Sequence, residues 1–186
     1  MKAILLNVTA FQLGWLCCVL AGANHLPWLG TVVALLIVSC HVSHAPRRGN
    51  ELLLIVTAGL IGAAWDSLLV HAGLLQYPSG TLIAGTAPHW IIAIWLLFAT
   101  TLNVSLRWLR QRPLLAAALG AVGGPAAYYA GFKLGGVQIP AFSTAMTVLA
   151  VGWALLMPLM IQLSMLFDGF RTRTSDLTVQ GYAPRV

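Results

Sequence analysis

Residues 52–75, LLLIVTAGLIGAAWDSLLVHAGLL, decide the fold of this chain. About 20 apolar residues are enough to cross the hydrocarbon core of a bilayer as a helix. Within hydrocarbon every backbone polar group must be bonded internally, so a continuous apolar run of this length indicates an α-helix and not a strand. The stretch therefore predicts a membrane-spanning helix with one buried acid, Asp66, near its middle.

The composition of the rest of the chain agrees with this prediction. Hydrophobic residues make up 59% of its 186 residues, and only 8% are charged. A soluble domain carries about a quarter charged residues, so this chain lacks the polar groups to cover a water-facing surface. Five further apolar stretches predict an all-α, polytopic bundle of six transmembrane helices, and they cover Ala3–Gly22, Trp28–Ser43, His89–Leu106, Leu114–Phe132 and Phe142–Phe167.

Positive charges alternate between successive links. The second link carries Arg47 and Arg48, the fourth carries three arginines, and the tail carries more, whereas the fifth link has only Lys133 and the first and third have none. Positively charged links stay in the cytoplasm, so the N- and C-termini are both predicted to be cytoplasmic. The chain is expected to be a multi-pass protein of the bacterial inner membrane.

The prediction divides the chain into two parts. Residues 1–170 form the six-helix transmembrane domain, and residues 171–186 form a cytoplasmic polar tail expected to be disordered. Because the arginines fall in small groups and not on one continuous basic face, no nucleic-acid partner is predicted.

Asp66 is the first candidate site residue, since a charged side chain within a membrane is a functional candidate by default. Gly59, Gly62 and Ala63 lie three to four residues apart on the helical face that Asp66 continues, so Asp66 is predicted to point into the bundle. His71 lies on an adjacent stripe. Lys133 could pair with Asp66 in the outer half of the bundle or extend to the headgroups.

The fifth apolar stretch supplies the next candidates. Pro125 follows two glycines, removes a backbone donor and can kink the helix beside Tyr128 and Tyr129. Asn103 lies inside the fourth predicted span. These residues are predicted to line a cavity with Asp66, although a structural role for each stays open. The link from Gln76 to Pro88 is long enough to cover an outward-facing pocket.

The sequence contains no recognised catalytic or metal-binding constellation. His41 and His44 are three residues apart with Glu51 as their nearest acid, which is too little for a predicted metal site. We expect no cofactor, and a non-catalytic role is favoured over an enzymatic one.

Four stretches of the chain resemble a family of short bacterial inner-membrane proteins known as domain of unknown function 2878. They are FQLGW at 11–15, AWDSL at 64–68, PHWIIAIWLLFATTLN at 88–103 and GAVGGP at 120–125. The resemblance implies a genomic setting beside fatty-acyl-modifying enzymes and flavin-dependent oxidases, and so a link to membrane-lipid modification. A looser likeness is to small six-helix substrate-binding subunits of vitamin transporters and to rod-shape membrane proteins.

Three hypotheses for the function follow. The leading one is a protein that binds or moves a lipid-like or small amphipathic ligand, with membrane lipid and lipid-modifying enzymes as partners. The second is a membrane-embedded enzyme or accessory subunit acting on acyl chains, with Asp66 as acid or base. The third is a scaffold that docks cytoplasmic enzymes through its basic links.

Overall fold

A computed structural model of the chain describes residues 1–171. These residues form six α-helices, so the all-α prediction is confirmed. The helices are α1 (Lys2–Ala23), α2 (Pro27–His44), α3 (Arg48–His71), α4 (His89–Leu102), α5 (Pro113–Lys133) and α6 (Phe142–Leu166). The predicted disordered tail lies, apart from Arg171, outside the described residues.

Helix α4 differs most from its prediction. It ends at Leu102, four residues before the predicted end at Leu106, and a short 3-10 turn at Arg107–Leu109 follows. Most of its residues are buried, because α4 lies in the centre of the bundle and packs against α1, α2 and α3. A central helix does not have to cover the full hydrocarbon thickness, since its neighbours shield it from lipid.

The outside of the bundle is apolar. Large hydrophobic side chains such as Leu5 (70% exposed), Leu60 (67%) and Leu155 (70%) point away from the core. The five helices other than α4 are long and apolar enough to cross a membrane, by length and composition. An apolar surface of this extent would be unstable in water, so the chain is a helical membrane protein.

The bundle has two polar ends, which we name by their contents. The loop end holds the links between α1 and α2, α3 and α4, and α5 and α6, and there Gln76 and Gln138 exchange two backbone hydrogen bonds of 2.9 and 2.7 Å. The terminal end holds the other two links and the segment after α6. The backbone N–H of Arg47 donates there to the carbonyl of Gly169 at 2.9 Å.

The bundle contains three helical hairpins, α1–α2, α3–α4 and α5–α6, and the first helix of each ends in the same capping arrangement. At the ends of α1, α3 and α5 the backbone bonds recur at equivalent positions, starting from the N–H groups of Asn24, Ala72 and Leu134. The next residue in each case has a positive φ: 60° at His25, 70° at Gly73 and 81° at Gly135. This is the Schellman type of helix end, and it turns each helix into its return partner in the same way.

Equivalent glycines lie ten residues before these capping positions, at Gly14, Gly62 and Gly124. A Cβ on Gly62 would lie 2.0 Å from the Trp95 ring, and one on Gly124 would lie 2.2 Å from the Trp153 ring. Gly62 and Gly124 therefore each let a large side chain of the return helix approach the backbone closely. At Gly14 the nearest side chains are Leu97 of α4 and Ile37 of the return helix α2.

Candidate functional site: an aromatic cavity capped by Asp66

The bundle contains a cavity of about 350 Å³, at the lower end of the ~300–1,000 Å³ range of small-molecule sites. Apart from Gln12 and Met157, its walls are aromatic, aliphatic or glycine, with few polar atoms. The lining comes from α1, α4, α5, α6, the two longer loops at the loop end, and Leu106 in the link after α4. Its aromatic members are Phe11, Trp15, Tyr77, Trp90, Trp95, Phe98, Tyr128 and Trp153.

The cavity lies between α1 and α5. Helix α1 packs on α2 and α4, whereas α5 packs chiefly on α6, so α1 and α5 flank the cavity without closing on each other. The lining residues Gln12, Leu119, Gly123 and Ala127 on these two helices are exposed. The opening therefore faces sideways, toward the space that lipid occupies around a membrane protein.

Glycines on α5 make room for the cavity. Gly123 lines it, and no atom lies within 4 Å of where a Cβ on Gly123 would be. At the loop end the cavity is closed, because the link after α5 reaches α1: a Cβ on Gly136 would lie 3.2 Å from the carbonyl oxygen of Val19.

The polar end of the cavity is organised by Asp66, which is fully buried on α3. The hydroxyls of Tyr128 and Tyr77 donate to its Oδ1 at 2.6 and 3.0 Å, and Trp95 Nε1 donates to its Oδ2 at 2.7 Å. The three donors come from α5, the α3–α4 loop and α4. They line the cavity, whereas Asp66 lies behind them and positions them.

Tyr77 belongs to the α3–α4 loop, outside the helices. Burial raises the pKa of Tyr77 well above its ordinary value near 10, and the adjacent Asp66 and Tyr128 raise it further. The phenol therefore keeps its proton at physiological pH, and that proton is directed at Asp66.

Two indole rings join α4 to α6 beside this cluster. Trp95 and Trp153 stack with their ring centres 4.9 Å apart and 10° between their planes. Trp95 donates its N–H to Asp66, whereas the buried N–H of Trp153 lies beside the Tyr128 hydroxyl without forming a hydrogen bond of good geometry in the described part of the chain. A buried donor without a well-formed hydrogen bond is unusual, and the Trp153 ring lines the cavity.

The structure brings only some of the sequence-predicted site residues together. Asp66 and Tyr128 meet as described. Tyr129 points outward, 43% exposed, and packs on Phe132 and Phe142. Helix α5 continues through Pro125, which does not line the cavity.

The remaining predicted site residues lie elsewhere. Lys133 places its ammonium 5.4 Å from the ring centre of Tyr129, so the hypothesised ion pair between Lys133 and Asp66 is not formed. His71 is exposed at the last position of α3. Asn103 is buried at the terminal end and bonds the Glu51 carboxylate, because α4 ends before it and turns it away from the cavity.

A second polar cluster surrounds Glu51 at the terminal end. Glu51 is fully buried and bonds His41 Nε2 at 2.7 Å. Asn103 links it to Arg110, whose guanidinium donates to Asp168 at 2.8 Å. Asp168 is thus a buried ion-pair partner.

Sequence reasoning missed Trp95 and Trp153 as site residues, since Trp is common at helix contacts and nothing marks these two. Tyr77 was a residue of a loop expected to cover a pocket, and the structure places its ring in the cavity wall. The sequence does carry one pattern that points to a contact between two loops. Gln76 and Gln138 each stand two residues before a proline, and these two glutamines pair in the structure.

The fold and cavity define a small helical membrane protein with a laterally open aromatic cavity. A family model described as a protein of unknown function (DUF2878) matches residues 4–159, and the chain belongs to that family. Comparison with curated proteins and with solved structures gave no match.

Proposed function

We propose that this protein binds a lipid-like or small amphipathic ligand in the cavity between α1 and α5. The observation that carries the proposal is the lateral opening, because it gives a membrane-dissolved molecule a route into an aromatic pocket with a polar end. The setting proposed with it is a multi-pass protein of the bacterial inner membrane with both termini in the cytoplasm. Lipid-modifying enzymes are proposed as functional neighbours.

Binding fits the geometry of Asp66 better than acid or base catalysis does. All three contacts of Asp66 are donated by uncharged groups, and the cavity is lined by those donors and not by the carboxylate. A general base needs to reach the proton it removes, whereas a positioning residue acts through the groups it holds.

The scaffold hypothesis loses support from the terminal end. Arg107 and Arg110, two of the arginines expected to face cytoplasmic enzymes, both bind Asp168 of the same chain, at 2.9 and 2.8 Å.

The test fills the cavity without disturbing the packing around it. Gly123→Phe places a ring in open space within the cavity, and Val122→Phe places the same ring on the neighbouring position, which is 71% exposed and outside the lining. The full-length protein is purified in mild detergent, and the retained lipids are identified by mass spectrometry.

We expect the wild type and Val122→Phe to retain the same enriched species in a fixed ratio to protein, and Gly123→Phe to lose it. If both variants retain the lipid equally, the retained lipid binds somewhere other than this cavity. If the wild type retains only the bulk lipid mixture, with no enriched species, the proposed binding function is wrong.

A further inference from the structure

The tail of a membrane-dissolved ligand contributes little to selection in this site. Lipid chains are as apolar as the cavity wall, so moving an acyl chain from bilayer to cavity leaves hydrophobic burial nearly unchanged. Discrimination between ligands must therefore come from shape and from the polar end, where Tyr77, Tyr128 and Trp153 line the cavity.

The two phenols offer acceptor atoms to a ligand. A phenol has one proton to donate, and Tyr77 and Tyr128 both direct theirs at Asp66 Oδ1. Their oxygen lone pairs remain to accept. The indole N–H of Trp153 lies beside the Tyr128 hydroxyl and adds one donor that forms no hydrogen bond of good geometry in the described residues.

The charge at this end is unfavourable for an anion. A ligand atom bonded to the Tyr128 oxygen would lie within about 5 Å of the Asp66 carboxylate, given the 2.6 Å phenol contact and an ordinary hydrogen-bond length. The three groups that donate to Asp66 are uncharged, so they share its charge without cancelling it. Two like charges at that separation in a water-poor site repel strongly.

From this arrangement we infer that the cavity selects ligands whose head is a hydrogen-bond donor without negative charge, with a hydroxyl as the best match and an ammonium tolerated. A hydroxyl donates to one phenol oxygen and accepts from the Trp153 N–H, whereas a carboxylate has no proton for the phenols and is repelled by Asp66. This inference rests on the proposed function and narrows it to a class of ligand.

The test compares three photoreactive probes with identical alkyl tails and either a hydroxyl, an ammonium or a carboxylate head. Each is added to the full-length protein in nanodiscs at neutral pH, and labelled peptides are located by mass spectrometry after irradiation. Labelling of cavity peptides is normalised to that of lipid-facing peptides, which corrects for how well each probe enters the bilayer.

For the wild type we expect the alcohol and amine probes to label the cavity about tenfold or more better than the acid probe, a factor that corresponds to ~1.4 kcal/mol. Tyr128→Phe should reduce alcohol labelling several-fold, since one acceptor is lost. Tyr129→Phe, on the neighbouring outward-facing position, should leave it unchanged.

The outcomes separate the two levels of the hypothesis. If the acid probe labels the cavity as well as the alcohol probe does, the head-group inference is overturned and the proposed binding function stands. If no probe labels cavity peptides above lipid-facing ones, both the head-group inference and the proposed binding function are overturned. The three head groups are compared in the wild type, so this comparison does not depend on whether a variant folds.

Discussion

Removing the hydroxyl of Tyr128 tests the Asp66 cluster most directly. Tyr128 makes the shortest of the three contacts to Asp66, at 2.6 Å, and the carboxylate is fully buried. Hydrogen bonds to charged groups contribute about 1.5–3 kcal/mol in soluble proteins, and interhelical bonds in membranes about 0.6 kcal/mol on average. Because Tyr77 and Trp95 still donate, we expect Tyr128→Phe to destabilise the fold by about 1–2 kcal/mol.

For a chain of this size, 1 kcal/mol shifts the midpoint of thermal unfolding by roughly 2–4 °C. The expected decrease for Tyr128→Phe is therefore about 2–8 °C. The matched control is Tyr129→Phe, whose hydroxyl lies on an exposed side chain packed against phenylalanines. That variant should unfold within about 1 °C of the wild type, since a surface change usually costs less than ~0.5 kcal/mol.

Exposure of Cys18 to a thiol-reactive dye provides the assay. Cys18 is completely buried, whereas Cys17 is half-buried and Cys40 is exposed. In a background with Cys17 and Cys40 replaced by alanine, dye fluorescence on heating reports opening of the core. The purified protein in detergent is suitable for this measurement.

A double-mutant cycle with Asp66→Asn adds the decisive comparison. Residues in direct contact show coupling energies of about 0.5–3 kcal/mol. If Tyr128→Phe and Tyr129→Phe lower the midpoint equally, or if the cycle gives no coupling, the assignment of Asp66 as the organiser of the phenols is wrong.

Three further changes have defined expected results. Gly124→Ala should lower thermal stability by about 1–3 kcal/mol through overpacking, because its Cβ would lie 2.2 Å from an indole ring, whereas Gly123→Ala should not. At the terminal end, Gly169→Ala should destabilise similarly, since its Cβ would lie 2.5 Å from a buried glutamate, and Gly49→Ala, with open space around it, is the control. The folded-state pKa of Tyr77 is raised above the unfolded value of about 10. Its contribution to stability is therefore complete below that pH and lost as the pH rises through the folded value, and Tyr77→Phe should reduce this alkaline loss in unfolding midpoints measured against pH.

The helices could be predicted from the sequence because hydrocarbon imposes one rule on all of them. Every apolar run long enough to span must bond its own backbone, and all six runs form helices. The small-residue face of α3 also predicted that Asp66 points inward. The structure confirms this, since Gly62 packs on Trp95 and Asp66 is fully buried.

The rest of the site could not be read from the sequence because it depends on helix phase and on long-range contacts. Tyr128 and Tyr129 are adjacent, but successive residues of an α-helix point about 100° apart, so only one could reach Asp66 and nothing local decides which. Asn103 was expected within a span, but the early end of α4 turns it to the terminal end. Glu51 lies in the first turn of α3 and is nevertheless buried, with Gly169 packed against it.

The hairpin repeat explains why the site lies where it does. Cys18, Asp66 and Tyr128 each stand six residues before the capping position of their hairpin. The Cys18 thiol bonds Gly30 within its own hairpin at 3.3 Å, whereas Asp66 and Tyr128 bond each other across the second and third hairpins. Helices α5 and α6 meet the rest of the bundle through this bond, the stacked indoles, apolar packing such as Gly152 on Trp65, and the polar contacts at both ends. A ligand held by the phenols would therefore bind at the contact between the second and third hairpins. We expect its binding to change the packing of α5–α6 against α3–α4.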